Sequence, residues 1–274
     1  MLKKVVPCLA ITLMLSTTQI YAADTNQAKI GKDLAYKVDR RDQGYRDTSA
    51  QLTMTIANKA GNSTVRKLRI DILEMENEGD RSLMVFDFPA DIRGTSLLSH
   101  PKFEGNDEQW LYLPSIKRTK RISSRNKSGA FVGSEFSFED LSDKNVEEFT
   151  YKHLGTVSCQ ISTIESNTFP SIDQTCEKLQ RVPLDKHSGY SRQVLTIDSG
   201  SYRILTIDYY DVRGNLLKTL VSENFQLFDE KYWRPLRVVM TNVQTGKSTT
   251  LEYETLDFSI GLNEQHFKRS SLRH

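Results

Sequence analysis

The sequence predicts a mainly β (α+β) domain built on one large antiparallel sheet, a barrel or something close to it. Three observations point there. Apolar and polar residues alternate with a period of two in several stretches, as in Ser49 to Ala57, SAQLTMTIA. Glycine-, asparagine- and aspartate-containing turns recur about every ten residues in the C-terminal third. Helical spacing is clear only in 30–42, where Ile30, Leu34, Ala35 and Val38 share a face.

The chain opens MLKKVVPCLAITLMLSTTQIYAADT. Lys3 and Lys4 precede an apolar run from Val5 to Leu15, then small residues ending at Ala22 and Ala23. This predicts a secretory signal peptide over 1–22 and a single domain over 23–274. An uncleaved anchor is the alternative, disfavoured by the shortness of the apolar run. Cys8 lies inside that run, not where a lipidated cysteine would start a mature lipoprotein. The expected product is soluble and periplasmic. The chain has 37 basic and 35 acidic residues, and the leader would remove two lysines, leaving the charges balanced. A neutral exported protein is not a generic polyanion binder, so no nucleic-acid partner is expected.

After the helix and Gly44, Leu52, Met54 and Ile56 line one face of a first strand. The turn KAGN at 59–62 leads to a second strand over 65–74, and Asn77 to Asp80 to a third, SLMVFDF, with Met84, Phe86 and Phe88 on one face. Residues 90–107 read as a turn-rich surface crossing. Gln109 to Leu113 and Lys117 to Ile122 form two short strands joined at Pro114-Ser115. The 123–147 stretch is too rich in glycine and serine for a regular element, apart from a helical turn within 135–141. Phe149 to Leu154 is a strand, and 155–189 reads as an excursion from the sheet. Five strands follow, over 190–198, 202–212, 216–228, 233–242 and 248–258, and the basic tail after Gly261 reads as a short helix.

Cys159 and Cys176 remain after leader removal. In an oxidising compartment such a pair most simply forms one disulfide, two buried free thiols being the alternative. With no CxxC, HExxH or clustered histidine, neither a metal nor another cofactor is expected.

The stretch WLYLPSIKRTKRISSRNKSGAFVGSEFSFEDL, 110–141, is the densest in recognition chemistry. Its aromatic residues, with those of the third strand, give the candidate lining of an apolar cavity: Met84, Phe86, Phe88, Trp110, Tyr112, Phe131, Phe136 and Phe138. The bland reading is ordinary core. Its cations Lys117, Arg118, Lys120 and Arg121, together with Arg93, are candidates for contact with a head group or partner. The bland reading is an edge strand protected from aggregation.

These same residues carry a resemblance. The run from the N-terminal helix through QLTMTIANKAGNSTVRKLRI, DRSLMVFDFPADIRGTSLL and QWLYLPSIKRTKRISSRNKSGAFVGSEFSFEDL resembles the outer-membrane lipoprotein-sorting family, a LolA-like group, across about 30–155. KYWRPLRVVMTN continues it more loosely, and the cysteine-bearing stretch has no counterpart in it. The resemblance implies an incomplete, strongly curved β-barrel with covering helices and a cavity for acyl chains. It also implies a non-catalytic carrier that moves lipid or lipoprotein toward the outer membrane, with transient membrane contact. A lipid-sensing adaptor, or an accessory subunit of an inner-membrane transporter of the RND type, is the second reading. An enzyme is the third class, but His100, His153, His187 and His266 lie in no nucleophile or ligand motif.

Overall fold

The computed structural model describes residues 12–103, 105–159 and 175–273, with side chains from Asp24 onward. The first eleven residues of the expected leader therefore lie outside the described residues, as does most of the segment between the cysteines. One helix, α1 (Thr12–Arg41), precedes six strands: β1 (Asp47–Ala57), β2 (Ser63–Leu73), β3 (Arg81–Phe88), β4 (Ser96–His100), β5 (Glu108–Leu113) and β6 (Arg118–Ile122). Seven more follow: β7 (Phe149–Ser158), β8 (Thr175–Pro183), β9 (Tyr190–Asp198), β10 (Ile204–Asp211), β11 (Leu216–Phe228), β12 (Tyr232–Asn242) and β13 (Ser248–Phe258).

All 13 strands join one sheet in the order β6-β5-β4-β3-β2-β1-β13-β12-β11-β10-β9-β8-β7. Two meanders are thus sewn together by pairing β1 with β13, for instance Met54 opposite Leu251. Register shifts at Gln51/Leu52, Lys67/Leu68, His153/Gly155 and in β10 insert bulges, which bend and twist strands. The sheet curves but does not close, because β6 and β7 remain unpaired edges. They are also consecutive in the chain, so the connection 123–148 must travel from one edge to the other.

That connection crosses the inner face. Phe131, Phe136, Phe138 and Val146 from it join one core cluster with Leu52 and Met54 of β1, Leu68 of β2, Phe86 of β3, Leu195 of β9 and Met240 of β12. Leu34 and Ala35 bring α1 into the same cluster. The helix lies so close to β7 that a Cβ on Gly31 would stand 2.9 Å from the backbone nitrogen of His153, which explains the glycine. A second cluster lies on the opposite face. There Leu83, Val85, Leu98 and Trp110 pack under Phe267 and Leu272 of the C-terminal tail.

Several elements differ from the sequence reading. Residues 90–107 contain a genuine strand, β4, whose Ser96, Leu97, Leu98 and Ser99 are all buried. Leu97 faces the inner cluster and Leu98 the outer one, so burial on both faces erased the alternation that marks a strand. The excursion is shorter than 155–189, since β7 continues to Ser158 and β8 begins at Thr175. The same cause applies: Cys176 and Leu179 are buried in different clusters. Among the described residues the covering helices reduce to α1 plus single 3-10 turns, one of them in the tail, Arg269–Leu272.

Candidate functional site

The site is the inner face and the segment that plugs it. Within that segment Phe131 N–H donates to the Phe136 carbonyl at 2.7 Å, closing a tight turn. Val132 and Gly133 hold φ of 47° and 78° at its tip. The glycine accepts that region freely, whereas a β-branched valine there is strained and must be held by its surroundings. Arg66 of β2 supplies one hold, donating from Nη1 to the Val132 carbonyl at 2.5 Å while its guanidinium lies over the Phe86 ring. Phe131 stacks on Phe86 with centroids 5.6 Å apart and meets Phe138 edge-on at 5.8 Å. Ser137 then caps the single turn Phe138–Leu141, its N–H donating to Asp140 Oδ2 at 2.7 Å.

Polar contacts staple the plug to the opposite half of the sheet. Lys218 of β11 donates to Asp140 Oδ2 at 2.6 Å and to the Glu135 carbonyl at 2.7 Å. Tyr190 of β9 donates to Asp140 Oδ1 at 2.8 Å. Asn242 of β12 donates to the Glu135 carboxylate, and Glu135 N–H to Thr249 Oγ1 of β13. From the first half, Gln109 Nε2 of β5 donates to the Phe138 carbonyl at 3.0 Å. Glu139 accepts from Gly189 N–H and Ser188 Oγ, and burial still pushes its carboxyl upward. Burial raises the Tyr190 phenol too. The plug is thus an apolar insert on a polar scaffold, held without any covalent link among the described residues.

The candidate residues separate by face. Met84, Phe86, Phe131, Phe136 and Phe138 come together in the inner cluster. Trp110 and Tyr112 do not: they alternate with Gln109, Leu111 and Leu113, and they face the outer cluster beneath the tail. Phe88 is 48% exposed at the end of β3, where the bulge pairs it with Lys67 while Phe86 pairs with the buried Leu68. Arg93 is exposed and donates to the Asp87 carbonyl. Lys117, Arg118, Lys120 and Arg121 are exposed on and before the edge strand β6, with Ile116 beside them 57% exposed. Only Arg121 of these four finds a carboxylate among the described residues, Glu108 at 3.1 Å. The cysteines are joined as a disulfide.

Sequence reasoning missed Lys218, Tyr190, Asp140 and Arg66. One signal was available: Lys218 interrupts the apolar run LLKTL at a position that turns out buried. It also missed a cavity of about 1120 Å³ beside the C-terminal end of α1, whose walls include Val38, Arg41, Tyr45, Asp80, Phe225 and Trp233. A smaller recess of about 480 Å³ lies by the unclosed seam, between Ile122 and Lys127 on one side and Leu184 on the other. Among the described residues no group of histidines, cysteines and carboxylates is arranged to hold a metal, and no helix is long and apolar enough to cross a membrane.

The same architecture occurs in solved structures. An outer membrane lipoprotein-sorting protein domain from Vibrio parahaemolyticus is 42% identical, with 90% of this chain and 100% of that one covered at a TM-score of 0.83. The chain belongs to the outer-membrane lipoprotein-sorting protein family. A DUF1329 family protein from Desulfovibrio piger is similar at 28% identity and a TM-score of 0.80, covering 90% of this chain and 99% of that one. A LolA superfamily protein from Nitrosomonas europaea shares the fold at 19% identity and a TM-score of 0.67, covering 88% and 98%. A family model described only as "uncharacterized protein" matches residues 78–274. No curated protein matches. The open, curved 13-stranded sheet is the LolA-like fold.

Proposed function

We propose that this protein is a non-catalytic periplasmic carrier that shelters acyl chains of a lipid or lipoprotein against its inner face on the way to the outer membrane. One observation carries the reading: the inner core is continuous around the unclosed sheet, yet it is filled by the connection between the two edge strands and not by strand side chains alone. Phe131, Phe136 and Phe138 occupy the space an acyl chain would take. Each methylene moved from water into such a space contributes about 0.8 kcal/mol, so a long chain can offset the loss of the plug's own contacts. The plug's stapling contacts are hydrogen bonds and ion pairs, among them Lys218–Asp140 and Lys127–Asp185, which can exchange for water or a head group as it moves. The basic edge at β6 supports transient contact with an anionic membrane surface, through three cations that no carboxylate of the described residues neutralises.

The test is native mass spectrometry of protein purified from periplasm without detergent, followed by solvent extraction. A discrete co-purifying lipid or acylated peptide is expected. A clean unliganded mass that persists after incubation with membrane lipids would overturn the carrier reading and favour an adaptor for a membrane protein partner.

A further inference from the structure

The inner core does not account for the larger cavity, and its lining is of two kinds. Val38, Ile204, Phe225 and Trp233 line it, and so does Arg41. Nε and Nη1 of Arg41 are enclosed and have no hydrogen-bond partner among the described residues. Two carboxylates near it pair with other arginines: Asp42 with Arg234, and Asp198 with Arg203 through Oδ2 alone. Arg41 itself forms no ion pair among the described residues. A buried cation in that position is costly unless an anion reaches it.

The lining also includes Asp80 and Asp143, neither of which forms an ion pair among the described residues. Asp80 accepts hydrogen bonds from Tyr45 Oη and Met75 N–H, and its own N–H donates to Asp143. Burial, and then the charge of Asp143, push the Asp80 carboxyl up to about 7. An anion alone would relieve Arg41 but leave Asp80 and Asp143 without a cation. A cation alone would leave Arg41 as it is.

We propose that this cavity binds the zwitterionic head group of a phospholipid bearing a primary ammonium, with the phosphate on Arg41 and the ammonium against Asp80 and Asp143. The proposal rests on the carrier reading and names its cargo class. Continuity with the acyl space supports a lipid over a small zwitterion: Val38 and Ile204 line the cavity and also pack against the inner core cluster. A head group held here would place its chains at the core's margin.

The test is calorimetric titration of the full protein with dihexanoyl phosphatidylethanolamine, phosphatidylglycerol and phosphatidylcholine as monomers. The variants are Arg41→Gln and Asp80→Asn, with folding checked by thermal unfolding. The ethanolamine lipid should bind at least about tenfold tighter than the glycerol lipid, the scale of one charge-assisted hydrogen bond. Arg41→Gln should weaken both by a similar factor. Asp80→Asn should weaken only the ethanolamine lipid and so collapse the preference. Equal affinities in the unaltered protein, or an Asp80→Asn variant that keeps the preference, would overturn the head-group site, and the second readout holds even if Arg41→Gln fails to fold. Lipids that bind equally and ignore both substitutions would leave the carrier reading standing while removing this site. Binding of none of the three, with no acyl cargo by mass spectrometry, would remove both.

Discussion

The ammonium of Lys218 lies 2.6 Å from Oδ2 of Asp140, and each side chain is only 4% exposed. This contact joins β11 to the turn that ends the plug, so a pair far apart in sequence fixes how the inner face is covered. Tyr190 and Tyr209 rings lie 5.3 Å from the same ammonium, completing an enclosure that excludes water from the pair.

Removing one partner strands the other charge in that enclosure. Lys218→Met should therefore lower stability by about 3–5 kcal/mol in urea unfolding. The double variant Lys218→Met with Asp140→Asn should be more stable than Lys218→Met alone, because no uncompensated carboxylate remains. Strict additivity in the cycle would show that the two groups are not coupled. Hydrogen exchange across 128–141 should also speed up in Lys218→Met, since the plug loses its deepest anchor.

Asp80 gives a pH signature. Its folded-state pKa is raised to about 7, so between the ordinary aspartate range and that value the folded protein holds a proton the unfolded chain has lost. Stability from this group is thus greatest at low pH and falls as pH rises through the window from about 4 to about 7, by at most about 1.4 kcal/mol per pH unit. Asp80→Asn should remove that slope and be relatively more stable at pH 8 than at pH 4. Glu177 and Asp185 are lowered by their hydrogen-bond partners and act in the opposite sense, so the informative quantity is the difference between variant and unaltered protein. A difference independent of pH would show that Asp80 titrates normally.

Much of the sheet was legible because most strands have one covered and one wet face. β1 and β13 announce themselves by alternation, and the turns between β9 and β13 fall near the expected positions. β4 and β8 were not legible, since each is covered on both sides by elements distant in sequence, the tail over Leu98 and α1 over β7 and β8. The aromatic plug was visible as composition. Its staple was not, because Lys218, Tyr190 and Asp140 acquire meaning only when the path from β6 to β7 folds across the inner face. Trp110 shows what register decides: the strand was legible, but one position separates the inner Leu111 from the outer Trp110.

The disulfide should matter mainly to stability. Cys159 follows β7 and Cys176 lies in β8, separated by 17 positions, so the bridge closes the hairpin's long connection. A loop of that size corresponds to about 3 kcal/mol in the chain-entropy model. Cys159→Ser with Cys176→Ser should lower the unfolding free energy by about that amount while lipid loading of the folded protein is retained. Lost loading under conditions where the variant is fully folded would assign the bridged segment a part in binding.

Charge reversal tests the basic edge. Lys117, Arg118 and Lys120 are exposed without a carboxylate partner among the described residues. Each would contribute on the order of 1 kcal/mol near an anionic bilayer. Changing all three to glutamate should reduce co-sedimentation with phosphatidylglycerol vesicles by well over tenfold at low salt, a deficit that shrinks as added salt screens the surface. Unchanged sedimentation would leave the strip as protection for an unpaired strand.

The C-terminal tail separates packing from binding. Phe267 and Leu272 are enclosed against Leu83, Leu98 and Trp110, the His100 ring bonds the Phe267 carbonyl at 2.7 Å, and His266 bonds Asp71 at 2.7 Å. Phe267→Ala should cost about 3–5 kcal/mol, the range for a large buried aromatic, and should open the Trp110 environment to water. Tryptophan emission should then shift to longer wavelength. Because this cluster lies on the face opposite Phe86 and Phe131, acyl loading should persist at temperatures where the variant is folded. Loading that fell with the Trp110 signal would place the outer cluster in the binding path and return Trp110 to the cavity the sequence first assigned it.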